Sequence, residues 1–243
     1  MSGKLRLALL ISGGGSTTQA IIRASKSGQL AVQPVCVIAS TNEAGGIKLA
    51  LKEEIAPKDV LVLKPEEYVS PEAFGEAILA ACRARGVDII GQYGWMPRTP
   101  ANVIAAFLGR MINQHPGPLD PGRPDFGGRG MFGRRVHAAR LWFVRKTGQD
   151  FWTEATAQLV AEQFDKGALL KTQRLKILPD DDPKLLQRRL LSVEHEVQIA
   201  TLQDFALGQV KVLLPRKYPL VPPDKESLLK EAKQIACARF PHG

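Results

Sequence analysis

From Leu5 to Gln114 the chain alternates between short apolar runs and segments of helical spacing. Leu5 to Ile11 reads as a buried strand, Ser12-Gly-Gly-Gly-Ser as a tight turn, and Thr17 to about Ser25 as a helix. Val32 to Ser40 is a second strand, Asn42 to Glu54 has helical spacing, and Val60 to Leu63 is a short third strand. Pro71 to Arg85 forms a helix with Ser70 as its N-cap; Pro71 stands at the first position, where its missing N–H would be unpaired anyway. Val87 to Gly91 is the fourth strand, Pro97 to Phe107 the next helix, and Arg110 to Gln114 the fifth strand. Regular strand–helix alternation of this kind predicts an α/β fold with a doubly wound, mostly parallel sheet.

Beyond Gln114 the pattern loosens. Pro116 to Gly133 is rich in Gly and Pro and reads as a long loop, of the kind that in compact domains is mostly functional or disordered. Arg134 to Lys146 is helical, and Thr156 to Val160 and Ala168 to Ile177 are strands flanking the loop that carries Asp165. Pro183 to Leu207 is a long amphipathic helix. A short apolar strand, Val210 to Leu214, a Pro-rich linker and a helix from Lys225 to about Arg239 complete the chain. Residues 1–207 therefore read as one domain and 208–243 as a short C-terminal helical extension, which suits a chain of 243 residues.

Several function classes fall away on composition. No window approaches the roughly 18 uninterrupted apolar residues of a membrane span. Met1-Ser-Gly-Lys leads straight into a strand without the apolar core of a signal peptide. Cys36, Cys82 and Cys237 are scattered with no CxxC spacing, as expected of a reduced, cytoplasmic protein. The net charge is +9, and much of the excess lies in Arg123, Arg129, Arg134, Arg135, Arg140, Arg145 and Lys146. Such a surface attracts phosphates and other polyanions, or else is a solvated face that keeps the chain soluble. No aromatic residues alternate with these cations to stack bases, so nucleic acid is not expected as a partner. His137, on the basic helix, is expected to face solvent. No His, Cys and Asp set has metal spacing, and no metal is expected.

Three local patterns carry chemistry. Asn113 and His115 lie two residues apart at a strand end, so an amide donor and an imidazole share one side of the sheet. Strand C-termini are where ligands bind in open α/β sheets, and Pro116 biases His115 away from helix as the chain leaves the strand. A carboxylate returned by the fold, such as Asp165, can orient and charge that imidazole. Together the three can stabilise an oxyanion and move a proton, the needs of acyl transfer to an amine. Ser12-Gly13-Gly14-Gly15-Ser16-Thr17 joins a strand to a helix and offers backbone amides to an anion, most simply a phosphate; the alternative is a tight turn only. It lacks the Gly-Lys-Ser/Thr of a P-loop and the third glycine of a dinucleotide fingerprint. Gly94-Trp95-Met96-Pro97, after the fourth strand, can line an apolar pocket or simply belong to the core.

With Asp165-Lys-Gly and Glu194-His195 added, the order and spacing of these pieces resemble the folate-dependent formyltransferase family over roughly residues 5 to 207. The resemblance implies a Rossmann-like fold and transfer of a formyl group from 10-formyltetrahydrofolate to an amine. Within the family it is greatest to the branch whose acceptor is glycinamide ribonucleotide, in purine biosynthesis. It further implies that Asn113, His115 and Asp165 are catalytic. Gly13, Gly14, Gly15, Ser16 and Thr17 would cradle the substrate phosphate, and Glu194 would bind the ribose. Trp95, Met96, Pro97 and Arg98, with Asn113 and Asp165, would bound the folate pocket.

The chain departs from the family pattern in two places. It has His115-Pro-Gly-Pro-Leu-Asp and the run from Pro121 to Gly133 where the family usually reads His-Pro-Ser-Leu-Leu-Pro, and Gln158 stands where the family has a second histidine. These changes surround the acceptor side, which leaves another amine, such as an amino sugar, or a non-catalytic phosphate- or folate-binding relative as alternatives. The tail from Gly208 has no counterpart in the family; it can cap the sheet, join two copies as a homodimer, or hold a partner.

Overall fold

The computed structural model describes residues 3–243. Met1 and Ser2, the start of the stretch read above as free of a leader, lie outside the described residues. The chain divides into two compact units: the first runs up to Gln114 and includes Gln198–Val210, and the second comprises His115–Val197 and Lys211–Gly243.

The first unit is built on parallel strands. β1 (Leu5–Ile11) pairs with β2 (Val32–Ala39) on one side and β4 (Ile89–Gln92) on the other; β2 continues to β3 (Val60–Val62) and β4 to β5 (Met111–His115). Helices connect the strands: α1 (Ser16–Lys26) from β1 to β2, α2 (Gly45–Lys52) from β2 to β3, α3 (Pro71–Arg83) from the edge strand β3 across to β4 on the far side of β1, and α4 (Ala101–Ala106) from β4 to β5. Helices on both faces leave the strands no wet side, which is why Leu7 to Ile11 and Cys36 to Ala39 are unbroken apolar runs buried along their whole length. The sequence placed these elements with small errors of extent. Ser70 caps α3 as expected, accepting from the Ala73 N–H at 3.1 Å. The helix expected over Pro97 to Phe107 shrinks to six residues, because Pro100 stands at its N-cap and disfavours helix in Thr99 before it. Residues before Gly45 form a turn instead of helix, with the Ala44 N–H reaching the Thr41 carbonyl.

The second unit holds α5 (Arg134–Thr147) and an antiparallel pair, β6 (Trp152–Leu159) and β7 (Leu169–Lys176). β6 begins four residues before the expected Thr156, and the register slips between Ala157 and Gln158. α6 (Pro183–Ala206) is continuous from Val197 of the second unit into Gln198 of the first. α7 (Glu226–Arg239) packs on α5 through a core that includes Phe126, Val136, Phe143, Leu229, Ala232 and Ala236. The C-terminal extension is thus part of the second unit's core.

Three expectations are corrected. Val210 to Leu214 is not a strand: it is held by a bond from the Leu213 N–H to the Leu169 carbonyl at 2.8 Å, and Val212 and Leu214 stay exposed. A single such bond makes no ladder. His137 does not face solvent but is fully buried. The cations between Arg123 and Lys146 do not form one face: Arg129, Arg134, Arg145 and Lys146 are exposed, whereas Arg123, Arg135 and Arg140 are drawn inward. Arg140 is buried between the rings of Phe126 and Trp152 and donates to the carbonyls of Asp150 and Trp152. Arg135 donates to the carbonyls of Gly130, Phe240 and Pro241, Arg145 to those of Pro179 and Asp181, and Arg123 to Asp120 and the Arg216 carbonyl. Guanidinium groups satisfy several carbonyls at once, and here they staple chain segments that have no regular ladder of their own.

Candidate active-site elements

In the first unit the glycine-rich turn follows β1 directly. Gly15 has φ +75°, and a Cβ there would come within 2.3 Å of the Gly46 Cα, so the α1 N-terminus lies hard against the start of α2. The Gly46 N–H donates to the Gly13 carbonyl at 3.1 Å. Gly13 and Gly14 are different: both are exposed, and a Cβ on either would meet nothing within 4 Å. The turn is therefore locked at its helix end and open at its tip. No acidic side chain occupies the first turn of α1, so its backbone amides present positive potential. Ser16 is half-buried, and Thr17 is buried.

Ser12 ties this turn to the one after β4. Its N–H donates to the Gly94 carbonyl at 3.0 Å, its Oγ accepts from the Met96 N–H at 2.9 Å, and it shares a hydrogen bond with the Ser40 hydroxyl at 2.6 Å. Trp95 is buried and lies nearly parallel to Phe74, centroids 6.2 Å apart, so its ring belongs to the unit's core. Its indole nitrogen has no hydrogen-bond partner among the described residues. Met96 and Arg98 are exposed and Pro97 is half-buried. Asn113 is half-buried, and its backbone pairs with Gln92 in register.

The second unit begins with His115, the last residue of β5 and two positions beyond Asn113 on the same strand face. His115 is 2% exposed. Its Nδ1 lies 3.5 Å from Asp165 Oδ1, while its Nε2 is buried without a partner among the described residues. An imidazole held at one nitrogen and vacant at the other is built to present a donor or acceptor outward from the pair. Asp165 has φ +57°, a left-handed conformation that costs a non-glycine residue free energy and that aspartate tolerates better than most. Its carboxylate is fixed from two sides: Oδ1 accepts from Gln158 Nε2 at 2.8 Å and Oδ2 from the Gly128 N–H at 2.9 Å.

The long loop before α5 supplies that second contact. A Cβ on Gly127 would approach Asp165 Cβ to 2.6 Å and Leu119 Cδ2 to 2.5 Å, so only glycine fits there. Asp125 closes the loop, accepting from the N–H groups of Asp120 and Gly127 and from Lys166 Nζ at 3.1 Å. The Gly-Gly run was the visible signal of this contact, although nothing in it names Asp165 as the neighbour. Burial pushes the proton affinity of His137 down to about 3, with His115 adding to the shift, so it is neutral at ordinary pH. Glu194 and His195 lie on α6, Glu194 buried and His195 half-buried, with burial lowering the latter's proton affinity. Among the described residues no set of three His, Cys, Asp or Glu side chains is grouped to hold a metal. Among the described residues no helix is long and apolar enough to cross a membrane.

A protein-family model described as formyl transferase matches residues 5–202. Among curated proteins, phosphoribosylglycinamide formyltransferases of the chloroplast are similar to the chain. The Arabidopsis thaliana enzyme is 29% identical over 85% of this chain, and that of Vigna unguiculata 30% identical over 82%. The chain spans 67% and 60% of those two proteins. Among solved structures, phosphoribosylglycinamide formyltransferase from Brucella melitensis matches 88% of this chain and all of its own at 31% identity, with a TM-score of 0.71.

Proposed function

The chain belongs to the formyl transferase family, and from that premise we propose that it transfers a formyl group from 10-formyltetrahydrofolate to the amine of glycinamide ribonucleotide. The observation that carries this reading is the buried His115, faced by Asp165 at Nδ1 and unpartnered at Nε2, on the same strand face as Asn113. The orphaned Nε2 fits a co-substrate that brings an oxygen to be stabilised. When bound, the formyl folate supplies an electrophilic formyl carbon.

The residues then divide the work. His115 Nε2 and the Asn113 amide donate hydrogen bonds to the formyl oxygen as negative charge grows on it. Asp165 holds the imidazole in the orientation that turns Nε2 outward. The same carboxylate can pass a proton, through water, from the attacking amine to the departing nitrogen. No covalent bond to the protein is required.

Gly13, Gly14, Gly15, Ser16 and Thr17 would bind the acceptor's phosphate, for which the open glycine tip and the uncompensated helix N-terminus are suited. Glu194 would take the ribose. Met96, Pro97 and Arg98 would border the folate, with Trp95 as the rigid support beneath them. Residues 1–207 would carry the reaction and 208–243 the extension. The reducing, cytoplasmic setting is supported by three free thiols, of which Cys36 and Cys82 are buried and raised to about 11 and about 12 by that burial.

A spectrophotometric assay tests the reaction, using 10-formyl-5,8-dideazafolate and glycinamide ribonucleotide with the parent protein, His115→Ala and Asp165→Asn. Turnover by the parent that both variants lose supports the reading. Folate-analogue binding without turnover would move the acceptor to another amine, the alternative that Gln158 at the carboxylate favours. Absence of both binding and turnover would sink the enzyme reading.

A further inference from the structure

We propose that Lys233, on the C-terminal helix α7, is a positioning residue for the Asp165–His115 pair, acting through the single peptide group between Gly127 and Gly128. The proposal rests on the formyl-transfer reading for its kinetic consequence, but its geometry stands apart from it.

Lys233 Nζ donates to the Gly127 carbonyl at 2.7 Å. The Gly128 N–H, on the other side of the same amide, donates to Asp165 Oδ2 at 2.9 Å. An ammonium on the carbonyl draws charge through the amide and makes its N–H a stronger donor, so the two hydrogen bonds reinforce each other. The preceding peptide group is held as well, its Gly127 N–H donating to Asp125 Oδ1 at 3.0 Å. The glycines are what allow it: a side chain on Gly127 would collide with Asp165, and Gly128 has φ +100°.

The charges around Lys233 fit this role. Asp125, Lys166, Asp165 and Cys237 are the groups that face it, and its own burial lowers its proton affinity, opposed by the two carboxylates. Its helix is anchored on α5 by Leu229, Ala232 and Ala236, so the ammonium is delivered from a packed element instead of a free tail. A second cation of the extension, Arg216, pairs with the buried Glu154 and donates to the Leu119 carbonyl at 3.0 Å, fixing the other end of the same loop. The consequence is a carboxylate with one oxygen committed to Gly128 and the other left for Gln158 and His115. The extension thereby acquires a role in the chemistry.

The experiment compares Lys233→Met, Lys233→Arg and Lys230→Ala, an exposed lysine of the same helix, by kinetics and by amide NMR of the folded protein. Lys233→Met should lower kcat by on the order of tenfold to a hundredfold with KM for either substrate little changed, as misplacement of a catalytic group does. The Gly128 amide proton should move upfield and exchange faster. Lys233→Arg should restore both readouts, and Lys230→Ala should alter neither. A Lys233→Met protein with unchanged kcat, or with an unchanged Gly128 resonance, overturns the proposal. So does a loss of kcat that follows lowered thermal stability and that arginine fails to rescue. If the parent transfers formyl to no amine, the proposed function fails, while the Gly128 resonance in Lys233→Met and Asp165→Asn still decides whether the linkage exists.

Discussion

The glycine-rich turn of the first unit and the Asp165 cluster of the second achieve preorganisation by opposite means. The turn is local: its parts are consecutive residues, the groups it presents are backbone amides, and one close approach, Gly15 against Gly46, fixes it. The cluster is assembled from distant segments, with Gly127, Gly128, Gln158 and Lys233 all converging on Asp165. Backbone amides resist change by side-chain substitution. A converging cluster offers many places at which one substitution can break it. The two regions should therefore fail differently, the turn through folding and the cluster through turnover.

The largest effect expected is at the cluster. His115→Ala or Asp165→Asn should lower kcat by about a hundredfold to a thousandfold, the usual loss when an oxyanion donor or its support is removed, while leaving the melting temperature near the parent's. A melting temperature that falls in step with kcat would blur the contrast.

Next is the pH dependence of stability, which belongs to the second unit through His137. Its folded proton affinity, about 3, lies below the ordinary value of 6.5. The unfolded chain therefore binds the proton first, and stability is intact above pH 6.5 and lost as the pH falls toward 3. The loss attached to this one group is on the order of a few kcal/mol. His137→Phe should flatten that part of the denaturation profile, as urea unfolding at a series of pH values would reveal.

Smaller still is the helix end of the turn. Gly15→Ala places a methyl against backbone at positive φ and should destabilise by roughly 1–3 kcal/mol. Gly13→Ala, with open space around it, should leave stability within about 0.5 kcal/mol of the parent. Its effect, if the turn holds a phosphate, is on the KM of the phosphorylated acceptor alone. Equal destabilisation by both would contradict a turn that is locked at one end and open at the other.

Cancelling charge tests the staples of the extension. Arg216→Met leaves the buried Glu154 with Arg174 alone, 3.6 Å away and more than half exposed. It should lower stability by a few kcal/mol, as removal of one partner from a buried pair does, and reduce kcat less than Lys233→Met. Calorimetry beside the kinetics would separate the two.

The sequence by itself determined what depends on near neighbours. Apolar runs bounded by glycine and proline set the five parallel strands, Ser70 and Pro71 set the start of α3, and the Gly13–Gly15 run set the tight turn after β1. Each rests on backbone preference or period, which a few consecutive residues express. The face shared by Asn113 and His115 was legible for the same reason, since it follows from a spacing of two. Only the tertiary structure decided the rest. The sequence could offer Asp165 as a candidate, but not its distance to His115, and the peptide that grips it and the lysine that grips the peptide are contacts across 37 and 106 residues. His137 and Arg140 look like solvent-facing members of a basic helix until the fold buries them, Arg140 between Phe126 and Trp152, because the charge of a side chain says nothing about which elements will cover it. Burial and partnership are properties of the packed chain, and they turned part of a basic stretch, Arg123, Arg135 and Arg140, into clamps between chain segments.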